Sequence, residues 1–352
     1  MNSSGNRTRK TDLIRDPVGP TLFRSTVPTT VGAGAMVLYY LADTWFIGLL
    51  GTDELAALGF TFPATILVSY FGVGLGIGTS ALAGKALGSN DTEEAARITL
   101  ASMLFALLVG LALIIPAQSA IGWLFPMLGA DPEGMVLIDQ FMSVWILGIP
   151  LLLMQFSGTA VIRASGNARL HGSVMVAGAV LNAVLDPLFI FGWGPVPAMG
   201  LAGAALATVL AWLFTVVLIC HNLALRERLL LLRLPPLHEL LGTWRKLLHI
   251  CLPASLANMI TPVSTGVLTA TVASYGPAAV AAYGVISRIE SFIMLVVLGM
   301  SMSLPPFISQ NYGARRFDRV SEGLRSSLRF VLILQLTLYA LVALAAPWIA
   351  AV

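Results

Sequence analysis

The sequence predicts an all-α polytopic membrane protein that contains two copies of a multi-helix unit, of which the second is incomplete. Two observations predict the membrane class, since 57% of the 352 residues are apolar and only 11% are charged, against roughly a quarter charged in a soluble domain. A third observation, the recurrence of residues 225 positions apart, predicts the two copies. A soluble globular protein is therefore excluded.

Nine apolar runs are each long enough to cross about 30 Å of hydrocarbon as a helix. The predicted spans are, in chain order, 22–50, 55–84, 98–116, 135–161, 172–194, 200–221, 247–275, 280–309 and 328–350. Some of these runs exceed 25 residues, which implies that the helices tilt or project beyond the bilayer.

Basic residues follow an alternating pattern in the connections between spans. Of the 20 Lys and Arg, 19 lie in the N-terminal tail or in every second connection with its flanks, and the connections near 51–54, 117–134, 195–199 and 276–279 have none. The positive-inside rule therefore predicts a cytoplasmic N-terminus. The expected location of the chain is the inner membrane of a bacterial cell. Because these charges do not form one basic face, the net charge of +3 does not indicate nucleic-acid binding.

The repeat supplies the domain organisation. Residues 225 positions apart are identical at Pro28 and Pro253, at Gly51 and Gly276, and at further Gly, Ala and Trp pairs. Each unit has six spans, an even number, so the two copies are parallel, which is a transporter architecture. The sequence thus predicts nine of twelve helices. The expected divisions are a cytoplasmic tail 1–21, a first lobe 22–225, a linker 226–246 and a partial second lobe 247–352.

Ionisable residues inside the predicted spans require a reason, because each costs at least a few kcal/mol in hydrocarbon. Asp43 and Asp186 each lie about eight residues before the external end of their span, at one depth of about 12 Å. Asn182 shares a helical face with Asp186, and Thr208 lies about eight residues into the sixth span. These four side chains are expected to form one oxygen-rich cluster.

Such a cluster has two chemical uses. It can hold a hard cation such as Na⁺ through its oxygens, or take up a proton, because desolvation and a like-charged neighbour both favour a neutral carboxylate. The alternative is two unrelated carboxylates, each paired locally. Tyr39, one turn before Asp43, is a candidate hydrogen-bond partner or an ordinary interfacial or core residue. The repeat places Leu268 opposite Asp43, so the carboxylate belongs to the first lobe only.

Two further features remain outside this cluster. Arg288 and Glu290 lie two residues apart in the eighth span, where a buried structural pair and a role in substrate recognition or gating stay equally open. The Gly72-x-Gly74-x-Gly76-x-Gly78 run lies wholly inside an apolar span, which favours close helix packing over phosphate binding. With no nucleotide-binding loop in the sequence, a primary pump is not expected. The chain is further expected to be no enzyme and to need no cofactor.

Several segments carry a family resemblance. They are Ala42-Asp43-Thr44 followed by GTDELAALG at 51–59, IRASGNAR at 162–169, LNAVLDPLFIFG at 181–192, GLAGAALAT at 200–208, AAYGVISRIESF at 281–292 and QNYGARRFD at 310–318. In these segments the chain resembles the multidrug and toxic compound extrusion (MATE) family. The resemblance implies a two-lobe, twelve-helix, monomeric exporter of cationic or amphipathic small molecules, driven by inward H⁺ or Na⁺.

Carried over residue by residue, the family's first-lobe ion site falls on Asp43, Asn182, Asp186 and Thr208, the same set that helix depth indicates. Another branch carries a glutamate where this sequence has Thr261, which favours the DinF-like branch. Two alternatives remain open. One is a lipid-linked or oligosaccharide flippase, which predicts a wide basic cavity, and the other is an inactive membrane fragment.

Overall fold

The computed structural model describes residues 11–231 and 233–349, and within these ranges the chain is almost entirely helical. The α-helices are, in chain order, α1 Val18–Gly48, α2 Thr52–Gly88, α3 Thr92–Met127, α4 Pro132–Leu147, α5 Ile149–Ala164, α6 Ala168–Phe191, α7 Gly200–His221, α8 Leu237–Ala273, α9 Pro277–Gly313 and α10 Phe317–Ile349. A π-helical turn, Asn222–Arg226, extends α7. The predicted all-α fold is confirmed.

The number of membrane spans agrees with the prediction, but one span is bent. Eight helices in the described chain are long and apolar enough to cross a membrane, and α4 with α5 forms a ninth span bent by 48°. The prediction of one continuous helix over 135–161 was wrong, because α4 ends at Leu147. Pro150 cannot donate a backbone hydrogen bond to the preceding turn, and Gly148 packs closely against Val209 and Trp212 of α7.

Several helices extend beyond the predicted apolar runs. The third span, expected at 98–116, covers Thr92–Met127, and α8 begins at Leu237 inside the expected linker 226–246. Similarly, α1 begins at Val18, inside the expected tail 1–21. The turns added before residue 98 in α3 and before residue 247 in α8 contain Leu, Glu, Arg and Lys, which are strong helix formers although they lie outside an apolar run. At the start of α1, Pro20 lies in the first turn, where its missing N–H costs no helix hydrogen bond.

The helix boundaries repeat with the same offset as the sequence. Thr52–Gly88 of α2 and Pro277–Gly313 of α9 begin and end 225 positions apart. The connections after these two helices also correspond, since Asn90 and Arg315 have φ of 63° and 57°. The residue identities at this offset therefore accompany equal helix lengths and the same turn conformation.

The glycine run of α2 packs this helix against two neighbours. A Cβ atom at Gly72 or Gly76 would approach Phe156 of α5, and one at Gly78 would lie 3.0 Å from Leu247 of α8. Glycines four residues apart share a helical face, so the run presents two smooth faces. The prediction of close helix packing is confirmed.

Helices α8 and α9 join the rest of the bundle mainly near the end where α1 begins. Thr26 of α1 donates to Met300 of α9 at 3.5 Å, and Ser309 of α9 donates to the carbonyl of Ser80 in α2 at 3.1 Å. Toward the other end, large apolar side chains such as Leu38 and Val267 are more than 60% exposed. In the described chain the bundle is therefore closed at the end predicted to be cytoplasmic, whereas apolar side chains of α1 and α8 are exposed toward the opposite end.

The segment 11–17 completes the closed end. Arg319 of α10 is buried and its guanidinium donates to the carbonyls of Leu13 and Asp16 at 3.2 and 2.7 Å and to Asn311 at 2.9 Å. Asn311 also donates to the carbonyl of Leu13 at 2.9 Å. The beginning of the described chain is thus attached to its last two helices.

Candidate functional site

The structure brings together the four side chains predicted to form an oxygen-rich cluster. Asp43 belongs to α1, Asn182 and Asp186 belong to α6, and Thr208 belongs to α7. Helix α6 packs against both α1 and α7. All four side chains are buried, with exposed fractions of 7%, 1%, 0% and 3% respectively. Three helices therefore contribute polar groups to one apolar environment.

The shared depth of the two carboxylates is retained, but both lie nearer the helix ends than expected. Asp43 precedes the end of α1 at Gly48 by five residues, and Asp186 precedes the end of α6 at Phe191 by five. That spacing corresponds to about 7.5 Å rather than about 12 Å along each helix. The correction arises because α1 and α6 end before the apolar runs 22–50 and 172–194 do.

Two hydrogen bonds organise the cluster. Asn182 donates through Nδ2 to Asp186 Oδ1 at 3.2 Å, within one turn of α6. The hydroxyl of Tyr39 lies 3.1 Å from the hydroxyl of Thr208, which joins α1 to α7. Tyr39 was a candidate partner for Asp43, and the structure places its hydroxyl on Thr208 instead. Tyr39, one turn before Asp43 on α1, therefore contacts Thr208 of α7.

Three buried oxygens of the cluster have no hydrogen-bond donor in the described structure. They are Asp43 Oδ1, Asn182 Oδ1 and Asp186 Oδ2. A buried acceptor without a donor costs about 1–3 kcal/mol, and more when it is charged. The two carboxylates are also close enough for their charges to interact. A hard cation can be ligated by several such oxygens at once, and a proton on one carboxylate would neutralise it and add one O–H donor to the cluster.

Helix α6 offers a further oxygen beside the cluster. Pro187 lies inside α6 directly after Asp186 and has no N–H to donate to the carbonyl of Ala183. This carbonyl is on the same helix as Asn182 and Asp186, one position after Asn182. It is a candidate fifth ligand, and the missing backbone hydrogen bond also makes this part of α6 easier to bend.

A cavity of about 290 Å³ opens beside the cluster, and Asp43, Thr208 and Tyr39 line it. Much of its remaining wall is aromatic, including Trp145 of α4 and Trp212 of α7. No Lys or Arg lines this cavity in the part of the chain that the structure describes. The sequence did not indicate these aromatic residues, because a cavity wall and a packed core have the same apolar composition.

The second predicted pair is not part of this cluster. Glu290 of α9 has an exposed side chain that accepts a hydrogen bond from Tyr339 of α10 at 3.5 Å. The side chain of Arg288 lies outside the described residues. The exposure of Glu290 argues against a buried structural pair, and its role in substrate recognition or gating stays a prediction.

Comparison with known families gives one match that covers most of the chain. The sequence profile described as MatE matches two segments, 28–188 and 253–352. The two matched segments begin 225 positions apart. The same profile therefore matches both copies of the internal repeat in one register.

Individual relatives and solved structures agree with this match. The FAD transporter of Shewanella oneidensis is 36% identical over 93% of this chain and 72% of its own length. The multidrug export protein MepA of Staphylococcus aureus is 26% identical over 86% of this chain and 66% of its own length. The crystal structure of an aspartate-to-asparagine mutant of the Vibrio cholerae MATE transporter VcmN superposes with a TM-score of 0.87 at 31% identity, covering 94% of this chain and 74% of that one.

Proposed function

The chain belongs to the MATE family of multi-pass membrane transporters, and from that premise we propose that it is a secondary active antiporter. It exports cationic or amphipathic small molecules in exchange for inward H⁺ or Na⁺. Members of this family are transporters rather than enzymes. The proposal includes a cytoplasmic N-terminus and a first lobe formed by residues 22–225. It also includes a monomeric state in the bacterial inner membrane.

One observation carries the proposal of ion coupling, namely the three buried oxygens that lack donors. Asp43 and Asp186 lie on different helices, so repulsion between two charged carboxylates opposes the packing of α1 against α6. A proton on one carboxylate, or a cation shared by both, removes that repulsion. The free energy of ion binding therefore differs between a conformation in which α1 and α6 hold the two carboxylates close together and one in which the carboxylates are farther apart. Such a difference is the condition for coupling ion binding to a conformational change.

Helix α1 transmits this change to the closure of the bundle. One end of α1 carries Asp43, and the other end contacts α9, where Ser303 donates to Thr29 at 3.3 Å. Pro28 lies directly before Thr29 and interrupts the backbone hydrogen bonds of α1 at this contact. A shift of α1 against α6 thus changes the contacts that hold α9. Substrate release is linked to the same helix.

The proposal is tested by transport into proteoliposomes that contain the chain. We expect Asp43→Asn and Asp186→Asn each to abolish ion-driven uptake of a fluorescent cationic dye, since each removes a negative charge while preserving side-chain size. Asp139→Asn is the matched control, because Asp139 is an exposed carboxylate of α4. Normal ion-driven transport by either cluster variant would refute the coupling role of that residue.

The coupling ion is resolved in the same vesicles. Imposing a pH gradient without sodium, and then a sodium gradient at constant pH, separates the two driving forces. The donor set suits both, because Asp43, Asn182, Asp186 and Thr208 offer oxygens to Na⁺ and the carboxylates accept H⁺. Transport under neither gradient by the wild-type chain would favour the alternative of an inactive fragment.

A second candidate substrate is flavin adenine dinucleotide. It is favoured by the relative named FAD transporter, whose similarity covers 93% of this chain. The aromatic wall with Trp145 and Trp212 suits a planar ring system. The carboxylate of Asp43 and the lack of basic lining suit the phosphates less well. Competition between the dye and external FAD in the same vesicles distinguishes the two substrates.

The flippase alternative fits the described site less well. A lipid-linked or oligosaccharide flippase was expected to have a wide basic cavity, whereas the cavity beside Asp43 is aromatic and acidic in its described lining. Thr261 stays the observation that favours the DinF-like branch.

A further inference from the structure

A second polar pocket lies at the end of the bundle where α1 begins, far from the carboxylate cluster along the helices. It has a volume of about 510 Å³, and its lining includes Arg24 of α1 and Arg169 of α6. Both arginine side chains are exposed. Neither lies within 4.0 Å of a carboxylate in the described structure. The pocket therefore presents two cations that have no acidic partner.

One acidic residue also lines this pocket and reduces its positive charge. Asp16 belongs to the segment 11–17, and its carboxylate accepts the backbone N–H of Asp12 at 3.3 Å. Among its described lining residues the pocket thus has two positive groups and one negative group, which leaves a net charge of one positive unit for a ligand. An anion that approaches from the side of Arg24 and Arg169 is favoured.

An apolar groove continues from this pocket along the outer surface of α1 and α6. It has a volume of about 790 Å³ and shares Val27, Pro28 and Arg169 with the polar pocket. On α6 the groove extends from Arg169 to Val184. That distance of 15 residues corresponds to about 22 Å, which exceeds the roughly 15 Å of hydrocarbon in one leaflet.

The walls of the groove face the surroundings of the protein rather than its core. Val31 is 57% exposed, and Val180 and Val184 are 58% and 61% exposed. Small residues, Gly172 and Ala177, form part of its floor. The exposed walls and small floor residues suit an acyl chain, and the distribution of basic residues predicts that the basic end of the groove lies near the cytoplasmic surface.

We propose that an anionic phospholipid of the leaflet at which α1 begins binds here, with its phosphate between Arg24 and Arg169 and one acyl chain in the groove. The negative phosphate matches the two arginines in charge, and the groove is long enough to hold one acyl chain. A soluble anion would use the pocket but not the groove, and a zwitterionic lipid would use the groove with little attraction to the arginines. The bound lipid spans the contact between α1 and α6 and stabilises it.

Native mass spectrometry of the purified chain tests this proposal with phosphatidylglycerol and phosphatidylcholine of identical acyl chains. We expect preferential retention of phosphatidylglycerol. Each charge near a lipid surface accounts for roughly a fivefold change in affinity, so Arg24→Gln with Arg169→Gln should weaken retention about 30-fold. Arg226→Gln with Arg245→Gln is the matched control, because these exposed arginines lie outside the groove.

A second variant tests the groove itself. Ala177→Phe fills the floor of the groove and leaves both arginines in place, so we expect it to lower phosphatidylglycerol retention by at least about tenfold. Retention equal to wild type in Ala177→Phe overturns the acyl-chain assignment. Equal retention of both lipids by wild type, an equal loss in the control variant, or displacement by glycerol phosphate overturns the proposal as a whole.

Discussion

Replacing Gly74 by Ala should open the contact between α2 and α8. A Cβ atom at this position would overlap Ser255 Oγ and would lie 2.6 Å from the carbonyl oxygen of Cys251 and 2.7 Å from the backbone N of Ser255. A rotamer change of Ser255 relieves only the first of these contacts. The other two involve the backbone of α8, so the helices themselves must move apart.

The size of the effect follows from the cost of overpacking. Adding a methyl group to a tightly packed contact costs typically about 1–3 kcal/mol when the backbone has to shift. Since each 1.4 kcal/mol is a factor of ten in an equilibrium constant, the population in which α2 and α8 are separated should rise about 5- to 150-fold. Replacing Gly by Ala also raises the helix propensity of the chain. The control variant must therefore be another Gly→Ala replacement on the same helix.

The native thiol of Cys251 reports the separation directly. Its side chain is fully buried, with 0% exposed, at the contact that Gly74 makes. With Cys220 changed to Ser, the rate at which N-ethylmaleimide labels Cys251 measures the open population. We expect Gly74→Ala to raise that rate 5- to 150-fold.

Gly59→Ala is the matched control on the same helix, because a Cβ at Gly59 meets nothing within 4 Å. It should label like wild type. A Gly74→Ala protein that labels no faster than Gly59→Ala would refute the reasoning, since the close approach would then not hold the two helices together.

Two further predictions concern hydrogen bonds that the structure assigns. Tyr39→Phe and Thr208→Val each remove the bond between α1 and α7, worth about 1 kcal/mol, so each should raise the coupling-ion concentration for half-maximal transport about fivefold; additive effects in the double variant would contradict a direct bond. Arg319→Ala removes two charged hydrogen bonds to the segment 11–17, each worth about 1.5–3 kcal/mol. Limited proteolysis of that segment should accelerate at least about 150-fold, whereas Arg325→Ala, which removes an exposed arginine of α10, should leave it unchanged.

Most of the fold was accessible from the sequence because each span is constrained separately by the membrane. Hydrocarbon thickness demands a long apolar run for every helix, so the run 55–84 predicted α2 without knowledge of its neighbours. The errors have the same origin. Helical turns outside the hydrocarbon, such as the start of α8 at Leu237, are not apolar, and the bend at Gly148 depends on packing against α7.

Part of the candidate site could also be predicted from the sequence. Asp43 and Asp186 are conspicuous in apolar spans because a charge there is costly, and Asn182 follows from helical periodicity. The hydrogen-bond partner of Tyr39 could not be predicted from the sequence. Asp43 is closer to Tyr39 along the chain, but Thr208 reaches it from another helix.

The sequence by itself determined which residues lie in the membrane, how many spans they form and which of them carry charge, since these depend on the composition of each run. Only the tertiary structure decided that Asp43 Oδ1, Asn182 Oδ1 and Asp186 Oδ2 lack donors, that an aromatic cavity lies beside them, and that Arg24 and Arg169 share a pocket. Contacts between helices depend on rotation and tilt, which neighbouring helices impose and which the composition of a single span does not specify.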